Sequence, residues 1–185
     1  SMSSLSSGEE EEVFSIVQGL TQLSVALKEL ESSSAATQLS HYRDIPESVA
    51  QCYTLMYEGA TLVHATSTKF TLLGKVDSSQ ITKLGKDLLQ GCQLVSTGCI
   101  AIHDNATGCA RSTRYHARQA TLRIVHSVIQ LIRVFVDNDT HDLDQAAPKT
   151  GVVWEACNVI LEKRLAMGNR TAMRRDLLTY KLECN

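Results

Sequence analysis

Cys92, Cys99 and His103 follow one another at intervals of seven and four residues. On a helix that spacing puts all three on one face, where soft thiolate and imidazole ligands could contact zinc. The competing reading is structural, because cysteine is among the most buried residues and packs as a small hydrophobe. We take the structural reading, and no metal or other cofactor is expected. Neither a His-Glu-x-x-His motif nor the Glu-x-x-His pairs of bundle di-iron sites occur. Gly74-Lys75 and Gly85-Lys86 suggest phosphate loops, but the pattern needs a glycine five residues earlier, where Lys69 and Gln80 stand. His64, His116 and His126 have no neighbouring Cys-His or Ser-His-acid spacing that would make a nucleophile. No catalytic residue emerges, and the chain reads as a non-enzyme.

Charge is the next candidate for function. Residues 108–136 carry five arginines and no acid, whereas residues 1–48 carry eight acidic and two basic groups. Residues 137–148 add four aspartates and no basic group, and residues 149–185 carry seven basic and four acidic groups. Alternating blocks of this kind can attract one another within a fold or simply solvate its surface. The sharper reading is an acidic-partner patch made by Arg111, Arg114, Arg118 and Arg123. Arg123 falls away from the apolar stripe and the other three border it, so all four are expected to reach solvent. Few aromatics accompany these arginines, so the stacking platforms of single-strand binders are missing and nucleic acid is disfavoured.

Five helical segments must position these groups. Val13, Ile16, Leu20, Leu23, Leu27 and Leu30 alternate spacings of three and four from Glu9 to Glu31, preceded by a disordered tail over residues 1–8. Ser32-Ser33-Ser34 ends this helix. Asp44 is the expected cap of a second helix with Pro46 in its first turn and the stripe Val49, Tyr53, Met56, Ala60, Val63, Ser67 and Phe70. Asp77 or Ser78 caps a third helix through Ile81, Leu84, Leu88, Cys92, Val95, Cys99 and Ile102, in which Gly91 and Gly98 permit close backbone approach. The fourth carries two adjacent stripes, Ala117–Thr121–Ile124–Val128–Leu131–Phe135 and Val125–Ile129–Ile132–Val136, which suits a central position. An acidic loop from Asp137 to Pro148 leads to a fifth segment from Lys149, interrupted near Met167-Gly168, with Asn169 placed to cap the continuation to Glu183. Short connections imply antiparallel neighbours in an all-α, up-and-down bundle occupying residues 9–185 as one domain.

Length and composition agree with this. A chain of 185 residues with 43% hydrophobic and 21% charged residues can bury one core, and two prolines and ten glycines are too few for a loop-rich all-β fold. The longest apolar runs are only a few residues, so no membrane span is expected. Ser1-Met2 looks like a tag-cleavage scar, and no secretory signal follows it. The six cysteines, at 52, 92, 99, 109, 157 and 184, are therefore expected to be reduced, and the Asn-x-Thr triplets at Asn105, Asn138 and Asn169 to carry no glycan.

The segment Thr150-Gly151-Val152-Val153-Trp154-Glu155-Ala156-Cys157, followed by Gly168-Asn169-Arg170-Thr171-Ala172-Met173-Arg174-Arg175, resembles a signature of the cyclin-D-binding protein family, the Grap and cyclin-D interacting proteins. Arg118-Gln119-Ala120-Thr121-Leu122-Arg123-Ile124-Val125 and Gln130-Leu131-Ile132-Arg133-Val134 are similar to another helix of that family, and Gly59-Ala60-Thr61-Leu62 leading to Leu72-Leu73-Gly74-Lys75 agrees in pattern. The resemblance implies a non-enzymatic vinculin- or talin-like five-helix bundle, the N-terminal half of a two-domain protein. It further implies binding of D-type cyclins and helix-loop-helix transcription factors in cytoplasm and nucleus, restraining cell-cycle progression; a cytoskeletal scaffold is the alternative. The oligomeric state is left open. The chain lacks the prolines expected between the Trp-x-x-Cys and Asn-x-x-Ala elements, so helix is expected to run further into that break. Trp154, Cys157, Asn169 and Ala172 read as structural, with Trp154 mostly buried between the fifth and fourth helices and worth about 3–5 kcal/mol against alanine.

Overall fold

A computed structural model describes residues 7–30, 45–74, 78–136 and 145–183. Within them lie six α-helices and one 3-10 turn, with no strand: α1 (Ser7–Glu29), α2 (Glu47–Leu73), α3 (Ser78–Ile102), the turn Asn105–Thr107, α4 (Arg111–Val136), α5 (Ala146–Leu161) and α6 (Asn169–Glu183). The expected caps Asp44 and Asp77, the serine run 32–34, residues 137–144 of the acidic loop, residues 1–6 of the expected tail and Cys184 lie outside the described residues.

Local chemistry accounts for most helix ends. Glu9 and Glu10 occupy the first turn of α1 and Lys28 the last, each charge favourable to the helix dipole. This helix starts at Ser7, two residues before the acidic run. Pro46 stays extended and precedes α2, and its carbonyl accepts from the amides of Val49 and Ala50, both at 3.0 Å. The start of α5 corrects the expectation: the helix begins at Ala146, so Pro148 lies in its first turn, where a missing N–H costs nothing. Its end is also earlier than expected. α5 stops at Leu161, Lys163 takes a left-handed φ of 55°, and the break spans residues 162–168.

The stripes chosen from periodicity are the core. All seven positions named on α2 and all seven on α3 are buried, as are Val13, Ile16, Leu20 and Leu27 of α1. α2 and α3 run antiparallel and touch through backbone. A Cβ added to Gly59 would lie 2.6 Å from the Gly91 carbonyl oxygen and 2.7 Å from the Val95 nitrogen; one on Gly98 would lie 2.5 Å from the Cys52 carbonyl oxygen. Gly91 and Gly98 therefore do what their positions suggested, and Gly59 completes the contact.

α4 is central, packing on α1, α3, α5 and α6, with all of its first stripe and Val125, Ile129 and Ile132 of its second buried. By length and mean hydropathy (1.2) it is the one helix among the described residues that could cross a membrane. Two thirds of that window is buried inside the bundle, which is the mark of a core helix. Phe70 of α2 meets Phe135 of α4 edge to face, 4.9 Å between centroids. The up-and-down order holds, but one adjacency does not. α1 packs on α3 and α4 and not principally on α2, its neighbour in sequence, and it runs parallel to α3, as Glu12–Lys86 (3.0 Å) and Gly19 beside Leu89 show.

Candidate protein-binding groove

Because the core consumes most of α4, its exposed positions form one strip, Arg111, Tyr115, Gln119, Arg123, His126, Gln130, Arg133 and Val136, at helical spacings of three and four. α1 contributes Lys28 beside this strip, α5 contributes Lys149, Val152 and Val159, the α5–α6 connection contributes Leu165, and α6 contributes Arg175. Together they form an open groove of about 1040 Å³. Its lining includes Lys28, Arg118, Arg123, Lys149 and Arg175, and no carboxylate. Arg123 is tied to Glu155 of α5 at 3.0 Å, an exposed pair worth at most about 1 kcal/mol. His126 Nε2 lies 2.7 Å from Ser24 Oγ, joining α4 to α1. Partial burial and the Lys28 charge hold its imidazole below the usual range.

The four arginines named from sequence do not form one exposed patch. Arg111 and Arg123 are exposed as expected, whereas Arg114 and Arg118 are only 5% and 4% exposed, which corrects the expectation. Arg114 Nη2 reaches back toward the carbonyl of Asp104 and the amide oxygen of Asn105, at 3.4 and 3.5 Å, so the preceding turn supplies the acceptors that a buried cation needs. The Arg118 guanidinium lies 5.9 Å from the Tyr115 ring centroid. Its charge also acts on α3, where burial raises the pKa of the Cys99 thiol and Arg118 opposes it, and where burial lowers that of the His103 imidazole and Arg118 adds to it.

Cys92, Cys99 and His103 are not brought together as ligands. Both thiols lie in the core, where burial pushes their pKa up, that of Cys99 to about 12. His103 Nδ1 lies 2.8 Å from the Cys99 carbonyl oxygen, a helix-internal partner, and burial lowers its pKa. Among the described residues no three His, Cys, Asp or Glu side chains are grouped as a metal would require.

The signature residues divide. Cys157 and Ala172 are fully buried, and burial pushes the Cys157 thiol up to about 12. Trp154 is 38% exposed and stacks on His64 of α2, 5.5 Å between centroids, so it lies on the α2–α5 surface and not between α5 and α4. Asn169 begins α6, but its side chain serves α4. Its Oδ1 accepts from the Ala110 amide at 2.7 Å and the Thr113 hydroxyl at 2.8 Å, and its Nδ2 donates to the Gly108 carbonyl at 3.2 Å. His116 Nε2 meets Asp176 Oδ1 at 2.7 Å a little further along. Hydrogen bonds from Ser112 and then His116 hold the Asp176 carboxyl below its ordinary range. Beyond these anchors α6 exposes Met173, Leu177, Leu178, Tyr180 and Leu182, a set the sequence reading did not single out. The signal was present in the text: apolar residues crowd a short arginine-rich helix without a single clean stripe.

Residues 55–185, from the first third of α2 through all of α6, match the family described as Grap2 and cyclin-D-interacting, N-terminal. The chain belongs to this family. No curated protein and no solved structure matches it. The match covers three of the four helices that line the groove, α4, α5 and α6; α1 precedes it. Membership of the Grap2 and cyclin-D-interacting family gives the chain a general role in protein interaction, and the groove is a surface that could serve it.

Proposed function

We propose that this chain is a non-enzymatic adaptor domain that binds D-type cyclins and helix-loop-helix transcription factors in cytoplasm and nucleus, and so restrains cell-cycle progression. The family match over residues 55–185 is the observation that carries the reading. Exposed Arg111 and Arg123 retain the partner-facing role first assigned to the arginine cluster. The test is titration calorimetry of the purified chain against a purified D-type cyclin and a purified helix-loop-helix factor. Saturable binding to either is expected, and no binding to both would refute the reading. Imaging of a tagged chain in cells tests the two compartments: fluorescence confined to one of them would refute that part.

A further inference from the structure

We infer that the groove along α4 is the docking site for an acidic amphipathic helix of a partner protein. The inference rests on the protein-interaction reading above and deepens it by naming the face and the recognised element. Three features on the groove argue for it. The first is shape: the floor is one helix and the walls are its neighbours, so the channel is parallel to α4. The strip from Tyr115 to Gln130 spans about 22 Å at 1.5 Å per residue, which suits a helix of roughly 15 residues.

The second is the mixture of chemistry. Val152 is 46% exposed and Tyr115 is 47% exposed, and the edges of Leu122, Val159 and Leu165 also line the channel. An incoming helix with apolar residues at i, i+3 or i+4, and i+7 would cover them, the usual pattern of a helix lying in a groove. The third is charge. Lys28 stands on the α1 side, Lys149 on the α5 side and Arg175 at the α6 end, and neither lysine is in an ion pair among the described residues. An apolar stripe flanked by carboxylates would meet a cation on either side. Glu155 and Asp176 stand at the edges but are engaged with Arg123 and His116. Nucleic acid fits less well, because among the described residues Tyr115 is the one Phe, Tyr or Trp ring lining the channel and apolar side chains occupy much of it.

The experiment uses fluorescence anisotropy with a labelled 16-residue helical peptide carrying leucines at i, i+4, i+7 and i+11 and glutamates flanking them, at about 50 and 200 mM salt. Lys28→Glu/Lys149→Glu is compared with Lys69→Glu/Lys83→Glu, which changes net charge equally at exposed lysines outside the groove. The groove variant is expected to bind at least tenfold more weakly and the control within twofold of the unmodified chain, both with unchanged melting. Val152→Ser, which removes apolar surface without charge, should weaken binding at least threefold. Equal loss in both charge variants, equal binding of a glutamine-for-glutamate peptide, or tighter binding of a single-stranded DNA oligonucleotide would overturn the inference. The same variants are then tried on the purified D-type cyclin. Cyclin bound by the unmodified chain and equally by the groove variant overturns the groove but leaves the proposed function standing. Peptide bound in the groove with no cyclin bound by any form removes the named partner and leaves the groove.

Discussion

Replacing Asn169 by alanine separates two accounts of the same residue by magnitude. As a cap of its own helix it would be worth about 1 kcal/mol. The structure gives it three hydrogen bonds to the start of α4, from a side chain that is itself buried. At about 1 kcal/mol per bond the loss is about 3 kcal/mol, and unpaired groups left behind at Ala110, Thr113 and Gly108 push it upward. With a urea m-value of about 2 kcal/mol/M, the unfolding midpoint should fall by about 1.5 M. Asn169→Asp is the internal control. It keeps the acceptor for Ala110 and Thr113 and places a negative charge at the positive end of α4, losing only the donor to Gly108. A loss of about 1 kcal/mol is expected. The reasoning fails if Asn169→Ala costs under about 0.5 kcal/mol, or if the aspartate is as damaging as the alanine.

Two glycines should respond to alanine with opposite sign in thermal melts. Gly59→Ala forces a methyl against backbone of α3 and should destabilise by about 2 kcal/mol, while Gly151→Ala meets nothing within 4 Å and should gain about 0.5–1 kcal/mol in helix propensity. Trp154→Ala should cost about 2 kcal/mol, below the range of about 3–5 for a fully buried aromatic, and native tryptophan emission should lie between buried and exposed limits. Cys92, Cys99 and Cys157 should resist a thiol reagent at pH 8 until the protein unfolds, since burial both shields the sulfurs and raises their pKa; modification in the native state at the rate of free cysteine would contradict the packing.

Periodicity found the core of α2, α3 and α4 residue by residue because a helix faces its neighbours with a fixed repeat. What it could not supply is which neighbour. Trp154 lies beside Val153 and Ala156, both buried, yet a rotation of one position takes it to the rim, against His64. Arg114 and Arg118 border the stripe as the wheel showed, but burial followed from acceptors and packing brought by other elements, the Asp104–Asn105 turn among them. Asn169 was legible as a cap, and its true recipient lies 56 to 61 positions away. The groove was partly legible through Arg123; Lys28, Lys149 and Arg175 join it only once α1, α5 and α6 are placed around α4.

The position of α1 bears on how the bundle assembles. From α2 to α5, successive helices are neighbours, so each contact closes a short loop. α1 instead bonds across 74 positions to Lys86 and across 102 to His126. Entropy of closing such spans makes those contacts slow to form and dependent on a surface already built by α3 and α4. The helix is therefore expected to arrive last and to leave first, giving its amides the fastest hydrogen exchange among the five core helices. Its departure would carry Lys28 away from α4 and lay Leu20 and Leu27 open, so the rate at which one helix comes and goes would set how long the groove keeps its second wall.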